Sequence, residues 1–192
     1  DDAKRTGLLD CTRKVDRSAA HLSLYLGFEG TRESLQLPRA NWWYYPPEYD
    51  HDAIVDRYIN DPEAPFPVVY ASFPSAKDPS WESRFPGRST VELVTLAPYE
   101  WFAPWEGSRW GKRGDDYDAF KGRFTERLLG KLFELEPQLE GPIDHVELST
   151  PLSTRHFCNY ERGEIYGLEH DARRFEQRIL RPRTRIGQFF LT

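Results

Sequence analysis

The sequence predicts an α+β fold: a largely antiparallel β-sheet packed against helices on one face. Apolar residues alternate at Leu22, Leu24, Leu26 and Phe28, and again through Ile143–Ser149, the period of strands with one buried side. Asp116 to Glu136 instead carries Phe120, Phe124, Leu128, Leu132 and Leu135 at helical spacing, with charges between them. Strand-like and helix-like stretches do not alternate as regular βαβ units, so a parallel sheet is not expected.

The remaining elements follow the same logic. Trp42-Trp43-Tyr44-Tyr45 is β-prone and ends at Pro46-Pro47. Consecutive rings there point to opposite faces, so one pair fits a core and the other needs a different partner. Asp50 or Asp52 caps a short helix through Tyr58, with Ile54, Val55 and Tyr58 on its apolar side. Val68–Phe73 and Val91–Leu96 read as strands, joined by a long connection with three prolines and a glycine. Long ordered loops in compact domains are often functional. Pro98–Gly114 reads as irregular and Trp-rich. Asp115 or Asp116 caps the long helix, and Pro137 and Gly141 stop it. Glu164–Leu168 reads as a short strand, Asp171–Leu180 as a helix, and Ile186–Leu191 as an apolar run reaching Thr192.

The chain has 192 residues, enough for one domain with a core that needs no disulfide or metal staple. A net charge of -5 argues against a nucleic-acid partner. No apolar run is long enough for a transmembrane helix. No charged-then-apolar stretch opens the chain, so no signal peptide is expected. The chain opens Asp1-Asp2 and contains no Met, which reads as a processed or excerpted sequence. Cys11 and Cys158 are far apart, without metal spacing; they read as two buried free thiols, with one disulfide as the alternative. A reducing cytoplasm is the expected compartment.

Familiar catalytic signatures are absent: no G-x-G-x-x-G, Walker A loop, G-x-S-x-G elbow or H-E-x-x-H. Asp50-His51-Asp52 with Glu48 suggests a metal site, but adjacent residues do not converge on one ion, and no metal is expected. Arg173, Arg174, Arg178, Arg181, Arg183 and Arg185 suit phosphate, yet Glu169, Asp171 and Glu176 among them favour an ion-paired surface. Aromatic residues are 15% of the chain. Trp101, Trp105 and Trp110 lie in the irregular stretch, where they line a ligand, cover a partner or fill the core.

Several strings carry a resemblance when taken in order. They are Ser72-Phe73-Pro74-Ser75-Ala76-Lys77-Asp78-Pro79-Ser80-Trp81, Pro98-Tyr99-Glu100-Trp101-Phe102 and Lys112-Arg113-Gly114-Asp115-Asp116-Tyr117. Then come Glu147-Leu148-Ser149-Thr150-Pro151-Leu152-Ser153-Thr154, Gly163-Glu164-Ile165-Tyr166-Gly167-Leu168, Leu180-Arg181-Pro182-Arg183-Thr184 and Phe189-Phe190-Leu191-Thr192. From about Leu22 onward the chain resembles the carotenoid isomerase, phytoene desaturase and retinol saturase group of FAD-dependent oxidoreductases. The N-terminal glycine fingerprint of that family is missing here, and the chain stops where its flavin-contacting turn begins.

The resemblance implies the substrate domain of a p-hydroxybenzoate-hydroxylase- or amine-oxidase-like flavoprotein. Residues 1–185 would form that domain, and 186–192 would start the strand returning to a separate FAD-binding domain. FAD is implied for the longer protein and not for this chain alone. An apolar polyene, a carotenoid or retinoid, is the implied substrate, and a membrane surface the implied source of it. The resemblance puts Thr150, Pro151, Tyr166 and Gly167 at the flavin edge. Trp42, Trp101, His156 and Tyr160 are the candidates to face the substrate, with His156 and Tyr160 expected on one loop. The rival expectation is a stand-alone aromatic-rich module that binds a flat ligand or a protein without catalysis.

Overall fold

The alternation at 22–28 folds as strand β1 (His21–Glu29), with Leu22, Leu24, Leu26 and Phe28 buried on one side. In this computed structural model, which describes residues 2–191, β1 belongs to a five-stranded sheet. Its other strands are β2 (Trp42–Tyr44), β3 (Val69–Ser72), β4 (Arg88–Leu96) and β5 (Ile143–Ser149), in the order β2-β3-β4-β1-β5. Every pairing is antiparallel, as the α+β expectation requires. The register runs one row of side chains through Trp42, Ala71, Leu93, Leu24 and Leu148. That row faces the core.

The layer against it is built by helix. The helix α3 (His51–Asn60) is capped as expected, with Asp50 Oδ1 accepting from the Ala53 amide at 3.0 Å. It buries Ile54 and Tyr58, and the Tyr58 hydroxyl donates to the Leu96 carbonyl at 3.0 Å. Burial pushes the pKa of that hydroxyl well up. The long helix α6 (Asp115–Leu135) buries Tyr117, Phe124, Leu128 and Leu132. Each such burial contributes about 1.5–3 kcal/mol. Its N-cap position is Gly114, which offers no side chain. Asp115, Asp116 and Asp118 lie in the first turn instead, where carboxylates meet the positive end of the helix dipole.

The connection from Pro74 to Thr90 is not structureless: it holds α4 (Pro74–Lys77) and α5 (Trp81–Arg84). The α4 turn takes the place beside β4 that β3 leaves, and the Thr90 amide donates to Ser75 Oγ at 2.9 Å. The stretch 98–114 forms two 3-10 turns, Tyr99–Trp101 and Ala103–Trp105. These turns send rings inward. Trp101 stacks on Phe124 at 5.7 Å, and Trp105 lies 5.6 Å from Phe120. The helix α7 (Pro151–Cys158) follows β5.

Residues Ala20–Gly163 form one compact unit; the segments up to Ala19 and from Glu164 form another. The second unit contains α1 (Asp2–Arg5), α2 (Leu8–Thr12) and α8 (Ala172–Glu176). The strand expected at 164–168 is reduced to isolated bridge residues at Glu164 and Leu168, the latter paired antiparallel with Arg17, because the backbone partners extend over only a few residues. The helix expected over 171–180 ends early: α8 stops at Glu176, and a 3-10 turn covers Arg178–Leu180. Asp171 caps α8, accepting from the Arg174 amide at 3.0 Å. Arg173 pairs with Asp171 and Asp16, as an ion-paired surface would. In the apolar run, Phe190 bridges back to Arg183; Thr192, the end of the expected returning strand, lies outside the described residues. Both cysteines are free, but Cys158 is exposed rather than buried because it sits at the open end of α7.

Leu132 is fully buried between α6 and the sheet. Leu132→Ala should therefore lower the unfolding free energy by about 2–5 kcal/mol, read by denaturant titration.

Candidate functional site

Residues of β1 that do not face the core must face the other way. The same register gives that second face two rows. One runs Trp43, Tyr70, Val94, Ser23 and Ser149. The next runs Ser72, Glu92, Tyr25 and Glu147. Five strands make the first row about 19 Å long. Trp43 is 61% exposed and Tyr25 45%, while Tyr70, Val94 and Glu92 are half-buried. The Trp43 and Tyr70 rings touch, with centroids 4.8 Å apart. Ser23 in the first row is buried, so the exposed rings are those of Trp43 and Tyr25 with Tyr70 half-buried; exposed rings suit an apolar ligand, since they supply area at little entropic cost.

The second row ends in polar groups. Ser72 Oγ donates to Asn41 Oδ1 at 3.2 Å and accepts from Lys77 Nζ at 2.9 Å; Lys77 also bonds Asn41 Oδ1. Glu92 stands directly across from Ser72 on β4. Burial raises the pKa of its carboxyl, and the nearby Lys77 ammonium only partly opposes this. His21 lies on the same face opposite Leu96; burial lowers the pKa of its imidazole, and its Nδ1 has no hydrogen-bond partner among the described residues. Beside α4 and α5 lies a cleft of about 200 Å³ lined by Arg32, Arg39, Lys77, Asp78 and Trp81 among others. It is charged and smaller than the roughly 300–1,000 Å³ of ordinary ligand pockets, so it does not suit an apolar chain.

The residues singled out from sequence are spread over several settings. Trp42 turns to the core side and meets Phe73 edge-on at 5.8 Å. Its neighbour Trp43 takes the open face. Trp101 is committed to the packing of Tyr58 and Phe124. His156 lies on α7, not on a loop, and is stacked on Trp110 at 5.7 Å with nearly parallel rings. Tyr160 follows the helix and is 40% exposed. The Thr150 hydroxyl is buried and bonded to the Tyr117 hydroxyl at 2.7 Å, and it completes a capping box with Ser153. Pro151 is buried in the first turn of α7. Gly163 comes so close that a Cβ there would lie 2.4 Å from the Pro151 carbonyl oxygen. Tyr166 and Gly167 belong to the other unit, where Tyr166 is 64% exposed and Gly167 adopts a positive φ of 73°.

Among the described residues no group of His, Cys, Asp or Glu is arranged to hold a metal, and Asp50 is used as a helix cap. No helix among them is long and apolar enough to cross a membrane. All strand pairings are antiparallel and no G-x-G-x-x-G is present, so these residues do not fit the cradle of a dinucleotide cofactor by themselves. Sequence alone leaves open which of Trp42 and Trp43 faces outward and does not single out Tyr25, Tyr70 or Glu92. The signal that finds them is alternation itself: once Leu24 and Leu93 are inside, Tyr25 and Glu92 are outside.

Glu92 ionises less readily folded than unfolded. Its contribution to stability is therefore full below the ordinary carboxyl pKa and is lost as pH rises through the raised one. Glu92→Gln should leave stability unchanged in acid and raise it relative to wild type at neutral pH, as denaturant titrations at both pH values will read. Gly163 has a φ of 64° and no room for a side chain. Gly163→Ala should cost about 2 kcal/mol or more, read as a drop in Tm.

No protein-family model matches the chain. Curated proteins do. It is 37% identical over 178 residues to the all-trans-retinol 13,14-reductase of Macaca fascicularis, covering 89% of this chain and 29% of that protein. It is 38% identical over 177 residues to the Homo sapiens protein of the same name, covering 88% of this chain and 29% of that protein. A Danio rerio protein called inactive all-trans-retinol 13,14-reductase is 32% identical over 133 residues, 68% of this chain and 22% of that protein. The chain thus spans less than a third of the length of these relatives. Over that span it is similar to proteins named all-trans-retinol 13,14-reductase.

Proposed function

We propose that the chain is the substrate-binding domain of an FAD-dependent oxidoreductase acting on an apolar polyene, a retinoid or carotenoid. The carrying observation is its similarity to all-trans-retinol 13,14-reductases over 89% of its length. A polyene offers no charge to grip, so its wall must be apolar, aromatic and long. The Trp43–Tyr70–Val94 strip answers that description better than the loop tryptophans do, since Trp101 and Trp105 are packed inward.

In this reading FAD is held by a separate dinucleotide-binding domain, and when bound it supplies the electron pair. This chain's residues would bind and orient the polyene and exclude water. Residues 1–185 constitute the substrate domain and 186–192 lead back towards the flavin domain. Thr150 and Pro151 in the larger unit are proposed to meet the flavin edge, and the same role is proposed separately for Tyr166 and Gly167 in the other unit. Thr150 would act there through backbone position, because its hydroxyl is already bonded to Tyr117. His156 and Tyr160 stand beside that edge. The chain is inactive by itself, works in the cytoplasm and draws its substrate from a membrane surface.

A second reading has one observation in its favour. Trp110 and Phe157 are 47% and 66% exposed and in ring contact at 5.3 Å, a patch suited to a flat ligand or a protein in a module without catalysis.

Tryptophan fluorescence separates the two. All-trans-retinol should quench the emission of the chain saturably, and Trp43→Ala should remove most of that quenching. Quenching that survives Trp43→Ala but vanishes in Trp110→Ala would favour the second reading. The chain alone, supplied with FAD and a reductant, should show no retinol turnover.

A further inference from the structure

Away from the sheet, one corner of the larger unit carries rings that face solvent. Trp110 lies in the turn between the second 3-10 segment and α6, and His156 and Phe157 lie on the last turn of α7. Trp110 is stacked on His156 and meets Phe157 edge-on at 5.3 Å. Trp110 and Phe157 are exposed, and so is every residue from His156 to Tyr160. The turn is fixed in place. Arg113 donates to Ser108 Oγ at 2.9 Å and to the Leu152 carbonyl at 3.4 Å, which closes the turn and ties it to the start of α7. A Cβ added at Gly107 or Gly111 would meet nothing within 4 Å, so the turn stands out into open space. Arg109 and Lys112 flank Trp110; both are exposed, and neither is in an ion pair among the described residues. Of the acids nearby in sequence, Glu106 is paired with Arg155, and Asp115 and Asp116 sit at the positive end of the α6 dipole.

The size of this patch decides what it can meet. Two rings, each about half exposed, offer roughly 200 Å². A stable protein interface takes about 800 Å² from each partner. A bilayer makes no such demand: its headgroup region takes up a protruding ring, and each nearby cation adds its own attraction to anionic lipid. Tryptophan between cations suits that region, because the ring is apolar, its N–H is polar and the charges stay among the headgroups. With a net charge of -5 on the whole chain, the attraction is local, confined to the roughly 8 Å over which salt leaves a charge visible. We infer that Trp110 and Phe157, with Arg109 and Lys112 beside them, dock the protein on an anionic lipid bilayer. This rests on the proposed supply of substrate from a membrane surface and names the part of the chain that meets it.

Sedimentation of the chain with vesicles tests this, using phosphatidylcholine alone and phosphatidylcholine with phosphatidylserine in equal parts. The mixed vesicles should bind the chain at least about tenfold more tightly, the ratio expected of two cations near an anionic surface. Arg109→Gln together with Lys112→Gln should bring the two kinds of vesicle within about threefold of each other. Trp110→Ala together with Phe157→Ser should weaken binding to the mixed vesicles at least about tenfold. Brominated acyl chains should quench the tryptophan emission of the wild type, and Trp110→Phe should still bind while losing most of that quenching. Unchanged circular dichroism will show that the variants fold. No binding to mixed vesicles, or binding that none of these substitutions weakens, overturns the inference. A wild-type dimer that Trp110→Ala takes apart also overturns it, since the patch would then be covered by a second copy. Retinol quenching measured without vesicles keeps the two readings apart. Retinol bound through Trp43 by a chain that ignores vesicles sinks this inference alone. Vesicles bound through Trp110 by a chain that ignores retinol support the docking surface and sink the polyene reading.

Discussion

β1 is hydrogen-bonded on both edges, to β4 and to β5, and its register against them decides what each face of the sheet can be. A slip of one residue would turn Leu22, Leu24, Leu26 and Phe28 outward together. Burying those four side chains in the core forbids it. The neighbouring strands inherit the same parity, so Leu93, Ala71 and Leu148 join the core row. Tyr25, Glu92, Tyr70 and Trp43 are left on the opposite face as a consequence. The candidate site is therefore the reverse side of the core and needs no motif of its own.

This explains why the chain carries so many aromatic residues and so few recognisable catalytic ones. Part of the aromatic content builds the core: Tyr58, Trp101, Phe102, Phe120 and Phe124 form one interlocking set of rings. Another part lies on the open face. In the proposed reading that part is a wall for a polyene, which needs area and dryness and would leave the redox step to a cofactor held elsewhere. Buried polar groups such as Thr150 and Tyr117 satisfy one another at 2.7 Å and serve to fix the junction of β5 and α7.

Much of the fold was legible because its strongest elements are strongly periodic. β1, β5, α3 and α6 follow from apolar spacing, and the Asp50 cap from its place before α3. The weak points were short or irregular. Glu164–Leu168 has strand-like residues but only isolated bridges, and Asp171–Leu180 has a capping aspartate but no long apolar stripe to carry a full helix. Pro98–Gly114 reads as a loop because 3-10 turns leave no clear period, so Trp101 looked available when it is packed on Phe124. The site was half legible. The Trp42–Trp43 pair announced that one ring would face out, but choosing which needed the pairing of β2 with β3. Glu92 was hidden because its significance comes from Ser72 and Lys77, which are distant in sequence and meet it only through β3 and α4.

The central claim is that the open face, with Trp43, Tyr70 and Val94 in one row, is the surface that meets an apolar polyene. Photo-crosslinking tests it most directly: a retinol analogue carrying a diazirine is irradiated with the protein, and the labelled peptides are mapped by mass spectrometry. The account predicts labels on Trp43, Tyr70 and residues 92–94, competed away by unlabelled all-trans-retinol. Competable labelling concentrated instead on Trp110, His156 and Phe157 would contradict it.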